Sequence, residues 1–254
     1  MKILKYILIA IASFNIFNSD VYGESLNIGI NDWCPYVCIP SKGQLELGYT
    51  TDIVVKILTE AGYQVKPVIA PWKRVINEAK EGEIDIVASG YKEEAPFLTF
   101  TKQPIGTTEE VFYVRKNEVW EYTGIASLEA IGKVGIISGA TYGNIAFLNY
   151  IKTNPSKFIV LSGDNIPARQ AMMLNSNRID AFVGEKNVVN YYSFKIKLKD
   201  KIRIAGHLSK KGYLYVGFSP KNPQANLLAS IVDKGILTLR KSGDLEKIMK
   251  EYGL

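Results

Sequence analysis

Ser89-Gly90-Tyr91-Lys92 sets small groups and then polar ones directly behind the apolar run Ile84–Ala88, the composition of a loop that can meet a small polar ligand. A second set, Ser138-Gly-Ala-Thr-Tyr-Gly-Asn144, follows the strand-like Lys133–Ile137 and opens a predicted helix over about Ile145–Lys152. A strand, a Gly-containing turn and a helix N-terminus form a cradle of backbone N–H groups that suits an anion. It lacks the Gly-Lys-Ser/Thr of a Walker phosphate loop. The cysteines are Cys34 and Cys38, and the only histidine is His207. That set cannot supply the ligands of a zinc site. No neighbouring base would activate a thiol, so a Cys34–Cys38 disulfide is preferred to two free thiols, and either to a nucleophile. No catalytic residue, metal or cofactor is expected.

The elements around these residues alternate. In Trp72–Glu81, Val75, Ile76 and Ala79 lie on one helical stripe, with Lys73, Arg74, Glu78 and Lys80 mostly off it, and Gly82 is a C-terminal stop. Ile84–Ala88 reads as a strand covered on both faces. Leu26–Ile30 reads as an earlier strand that runs into a loop containing Pro35. A helix from Thr50 or Thr51 to Ala61 and a strand over Gln64–Ala70 complete a βα-βα-β series. Glu109–Arg115, Lys133–Ile137, Phe158–Leu161 and Ile179–Val183 are further strands, with helices predicted over Ser127–Ile131, Ile166–Leu174 and Val188–Phe194. This second series ends at Gly184-Glu185. The tail adds a strand, Tyr213–Phe218, and a long amphipathic helix, Asn226–Ser242.

Alternation of this kind predicts an α/β fold of two lobes, with parallel-rich sheets, flanking helices and a cleft between them. Ligands in open α/β sheets bind beyond the carboxyl ends of the strands, which places Ser89–Lys92 at the cleft. The tail could extend either half, and the crossovers are expected near 114–117 and 207–212.

The chain has 254 residues, 47% of them hydrophobic and 22% charged, the balance of an ordinary globular protein. Its formal net charge is +6, but the basic residues are scattered, which argues against a nucleic-acid surface. Met1–Lys5 is a short positive segment, Tyr6–Ile16 is almost wholly apolar, and Val21-Tyr22-Gly23 suits cleavage. Residues 1–23 are therefore expected to be a cleaved secretory signal. The apolar run is shorter than the roughly 20 residues of a membrane span. The mature protein is expected to be soluble and outside the cytoplasm.

The ordered motifs resemble a known family. They are Asp32-Trp33-x-Pro35-Tyr36, Gly48-Tyr49-x-x-Asp52, Trp72-Lys-Arg74 with Gly82-Glu-Ile-Asp85, and Phe100-Thr-Lys-Gln-Pro104. Later come Gly135-x-x-Ser138-Gly139, Asn177-Arg-Ile-Asp-Ala181, Tyr215-Val-Gly-Phe-Ser219 and Leu239-Arg-Lys-Ser-Gly243. From Leu26 to the C-terminus the chain is similar to the family 3 bacterial extracellular solute-binding proteins, the amino-acid-binding kind that serve ABC transporters. The resemblance implies a type II periplasmic binding fold, a monomer in the periplasm that closes on a small ligand and is read by an ABC transporter permease, with lobe one over 24–114 plus 210–254 and lobe two, over 115–209, inserted between the crossovers. By position it implies a pocket of Asp32, Trp33 and Tyr36; Ser89, Gly90 and Lys92; Ser138 to Thr141; and Glu185, where the family often holds a ligand ammonium with an aspartate.

One feature departs from the pattern. Amino-acid binders of the family carry an arginine a few residues after the position of Gly90, gripping the ligand carboxylate. Here Tyr91-Lys-Glu-Glu-Ala-Pro96 has none. Arg74 or Lys92 takes that role, or the ligand is not a free α-amino acid, because a lysine does not reproduce a planar guanidinium fork. Trp33, Tyr36, Trp72, Tyr91 and Tyr142 could line the ligand as an aromatic box, against plain packing for Trp72 and Tyr142 at their helix starts. Glu185 has a helix-capping alternative. Arg178 and Asp180 are expected to pair locally, and His207 to lie in the second crossover without a chemical role. Two other functions remain open. One is a periplasmic enzyme on the same scaffold, of the cyclohexadienyl-dehydratase kind, with Glu185 as its acid. The other is a sensor acting in trans on a membrane receptor.

Overall fold

A computed structural model describes residues 25–40, 46–140 and 142–254. The signal-peptide expectation for residues 1–23 and the candidate Thr141 lie outside the described residues.

Along the chain, β1 (Ser25–Ile30), α1 (Tyr49–Glu60), β2 (Gln64–Ile69), α2 (Trp72–Glu81) and β3 (Ile86–Gly90) form the first alternating series. Two short strands follow, β4 (Thr99–Phe100) and β5 (Gly106–Thr108). Then come β6 (Glu110–Arg115), β7 (Val134–Ile137), α3 (Ile145–Thr153), β8 (Phe158–Leu161), α4 (Ile166–Asn175), β9 (Ala181–Glu185), α5 (Lys186–Lys195) and β10 (Ile202–His207). The chain returns through β11 (Gly212–Phe218), α6 (Ala225–Ser242) and α7 (Asp244–Glu251).

The first sheet has the order β2-β1-β3-β11-β4, with β5 also pairing β11. The second has the order β10-β6-β9-β7-β8. In each, the βα-repeat strands are parallel and the returning strands antiparallel. The tail belongs to the first lobe: β11 inserts between β3 and β4, and α6 packs on α1.

Sheet membership moves one expected boundary. Because β6 pairs β9 and β10, Glu110–Arg115 lies in the second lobe. The first crossover falls between Thr108 and Glu110 rather than near 114–117, and the second runs from His207 to Gly212. The helix predicted over Ser127–Ile131 is a 3-10 turn, Ile125–Ala130.

Each sheet is covered on both faces. In the first lobe, Ile28, Ile30, Ile86 and Ala88 pack with α1 and α6, while Val75, Ala79, Ile84 and Val87 pack on the α2 side. In the second, β6 alternates as a two-faced strand must: Phe112 and Val114 enter one core, Val111 and Tyr113 the other. Gly82 ends α2 in the left-handed conformation (φ 93°), as a C-terminal glycine stop should. Gly48 (φ 95°) is required for a second reason, since a Cβ there would lie 2.3 Å from the Tyr36 carbonyl oxygen.

Candidate functional site

The loop after β1 is closed on itself. Trp33 N–H donates to the Val37 carbonyl (2.8 Å), and Cys34 and Cys38 are joined by a disulfide. This fixes the Trp33 ring against Tyr36, with ring centroids 4.5 Å apart. The loop stands at the carboxyl end of β1, beside the end of β3.

Three cavities run along the cleft from there. The middle one, about 240 Å³, is lined by Asn31, Asp32, Trp33, Trp72, Gly90, Tyr91 and Glu94. It shares Tyr91 with a larger cavity of about 660 Å³, lined by Thr108, Glu109, Glu110, Tyr142, Gly143, Asn144, Leu208, Ser209, Lys210 and Gly212. It shares Asp32 and Trp33 with a third of about 500 Å³, which adds Ile137, Asp164, Asn165, Val188 and Tyr192. The two outer cavities draw walls from both lobes.

The sequence candidates divide over this geometry. Asp32, Trp33, Trp72, Gly90, Tyr91 and Tyr142 line the cavities. Tyr91 Oη lies 2.6 Å from Thr108 Oγ1, which pins the ring at the junction of two cavities. Tyr142 is buried at the start of the lobe-two helix, and its hydroxyl accepts from Ile137 N–H. Ser89 is buried, with no hydrogen-bond partner for its hydroxyl, and lines none of the three cavities. Ser138 is exposed outside them. Tyr36 is fully buried at the junction of the lobes, its hydroxyl donating to the Thr107 carbonyl (2.7 Å) and accepting from Asn187 (3.0 Å).

Neither candidate for gripping a carboxylate faces the cleft cavities. Arg74 is exposed and bound to Glu78 one turn along α2. Lys92 Nζ sits 3.9 Å over the Tyr215 ring. Arg178 and Asp180 do not pair as expected: Asp180 takes Arg115 (3.3 Å), which reaches it from the neighbouring β6. His207 ends β10 with Nδ1 2.8 Å from Glu109 Oε1.

Glu185 caps α5. One oxygen accepts from Val188 N–H (2.8 Å), the other from Glu109 N–H (3.2 Å). Burial raises its pKa, while these donors and Tyr36 pull it back. The carboxyl that sequence reasoning missed is Glu110. It lines the largest of these three cavities, no hydrogen bond or ion pair engages its side chain among the described residues, and burial followed by the charge of Glu185 pushes its pKa up to about 7. Its signal was its parity with Phe112 and Val114 on one strand: it extends an apolar row to the cleft.

Two lobes, each built on its own sheet and joined by two adjacent crossovers with a lined cleft between them, define a type II periplasmic binding fold. The family profile of the bacterial extracellular solute-binding proteins, family 3, matches residues 26–254, and the chain belongs to that family. No curated protein matches it. Among solved structures it is similar to an ancestral cationic amino acid solute-binding protein (20% identity, 91% of this chain and 96% of that one, TM-score 0.70). It is similar to the L-cystine solute receptor of Neisseria gonorrhoeae in its unliganded open conformation (16%, 91% and 93%, 0.69). It also resembles a histidine kinase sensor domain (18%, 91% and 96%, 0.60).

Proposed function

We propose that the protein captures a small polar solute, an amino acid or a related compound, between its lobes and presents the closed form to an ABC importer. The observation that carries this is the cleft itself, with cavities walled from both lobes around Tyr91 and Trp33. A ligand held from both sides favours the closed arrangement by its differential contacts, and a membrane partner reads that shape. In this reading the protein is a periplasmic monomer and not an enzyme. A thermal-shift panel of amino acids, amines, short peptides and organic acids tests it, since a ligand of the native state raises the midpoint. Small-angle scattering then checks closure with the hit. No shift from any class sinks the reading.

One observation favours a second reading, a dehydratase acting on a cyclic acid. Glu110 is a carboxyl unpartnered among the described residues, in the largest of the three cleft cavities and with a pKa near 7, which suits a general acid better than the fully engaged Glu185. Turnover of a cyclic acid that is lost in Glu110→Gln would establish it.

A further inference from the structure

We propose that the ligand is an organic cation without a carboxylate, a small amine of the kind left when a basic amino acid loses its carboxyl group. The inference rests on the solute-capture reading and names its ligand class.

Apart from the backbone N–H groups where α3 starts, beside Gly143 and Asn144, the described walls of the three cavities offer nothing built to grip a carboxylate. Among the described residues no arginine lines the three cavities. Arg74 is bound to Glu78 on the exposed side of α2, and Arg115 to Asp180 in the second lobe. Lys92 is spent on the Tyr215 ring, leaving Lys210, exposed like Asp32 and Glu94, as the only ammonium among the described residues on the walls of these three cavities. The acids are distributed the other way. Asp32 and Glu94 share the middle cavity with the rings of Trp33, Trp72 and Tyr91, and Glu110 stands in the adjoining one across Tyr91. This is not a reflection of composition, because the whole chain carries a net charge of +6.

Aromatic faces attract an ammonium through their quadrupoles, and a nearby carboxylate adds a charge-assisted hydrogen bond. A ligand carboxylate in the same cleft would meet Asp32, Glu94 or Glu110 with no guanidinium to offset the repulsion. The two cavities joined at Tyr91 also suit a chain with an ammonium at each end.

Pairs of probes that differ only by the α-carboxylate isolate the claim. Cadaverine against lysine and agmatine against arginine are titrated calorimetrically into the purified chain. The expected result is that each amine binds at least about tenfold tighter than its parent amino acid. Glu110→Gln and, separately, Trp33→Ala should each weaken the amine by about tenfold or more. Equal or tighter binding of the parent amino acid overturns the inference, as does unchanged amine affinity in both variants. Binding of a neutral or anionic solute with no response to any amine overturns the ligand class and leaves solute capture standing. Failure of every solute overturns both.

Discussion

Glu110 and Glu185 stand directly opposite each other across the antiparallel pair β6–β9. Like charges in that register repel. Burial raises the pKa of both carboxyls; at Glu185 the N–H groups of Val188 and Glu109 pull against that rise, whereas Glu110 has no such donor among the described residues and its pKa is pushed up to about 7.

Stability should therefore fall as pH rises from about 4.5 to about 7, the ordinary and the folded values for Glu110. In that window the native state binds more protons than the unfolded chain, so deprotonation costs stability. The loss from this one group is up to about 3 kcal/mol. Urea unfolding of the wild type and Glu110→Gln at pH 5 and pH 8 measures it. The difference between the two isolates Glu110 from Glu109, Glu185, His207 and Lys210 nearby. Identical pH profiles would show that Glu110 ionises freely.

Glu185→Ala should lower stability by about 1–3 kcal/mol, because it strips the cap from α5 and leaves two N–H groups without acceptors. Glu185→Gln keeps one acceptor oxygen and should lose less. If instead both variants keep the wild-type midpoint and lose ligand, the carboxylate serves the ligand and not the helix.

Loss of the Cys34–Cys38 bridge should cost about 2 kcal/mol by loop-closure entropy, since it closes a short loop. It should also weaken ligand binding, because the bridge fixes the turn that presents Trp33. Intact-mass measurement with and without reductant, followed by unfolding and titration of Cys38→Ser, checks both. A mass unchanged by reductant rules out the bridge.

What could be read from the sequence was local. The stripe of Val75 and Ala79, the glycine stop at Gly82 and the apolar strand ending at Ser89-Gly90 all follow from period and turn chemistry. So does the placement of Tyr91 and Trp72 at the ends of elements. The first crossover was not legible, because Glu-Val-Phe-Tyr-Val-Arg reads as a strand in either sheet and only pairing with β9 and β10 assigns it. Glu110 was hidden for the same reason: its burial and its acidic neighbour come from a strand 75 positions away, Glu185 being its register partner. Arg74 looked like a ligand group because its helix starts at the cleft, but the (i, i+4) pair with Glu78 holds it on the exposed face.

The junction of the lobes offers a test in which two effects oppose each other. Asn187 Nδ2 donates to Tyr36 Oη and to the Thr107 carbonyl, each at 3.0 Å, and Tyr36 Oη donates to the same carbonyl at 2.7 Å. Tyr36→Phe and Asn187→Ala each break the direct bond between these side chains, so the double variant counts that loss once and is less costly than the sum by about 1 kcal/mol. Each single variant, however, leaves Thr107 one of its two side-chain donors, and the double leaves neither. A carbonyl stripped of its donors costs about 1–3 kcal/mol when water cannot replace them. Thr107 is only half-buried, yet its oxygen sits between Tyr36, which is fully buried, and α5. The second effect should win, and the double variant should lose more stability than the two singles combined. Urea unfolding of the four proteins at one pH gives the sign directly. A smaller loss than the sum would mean that water reaches Thr107 and that the Tyr36–Asn187 bond alone ties the lobes at this point.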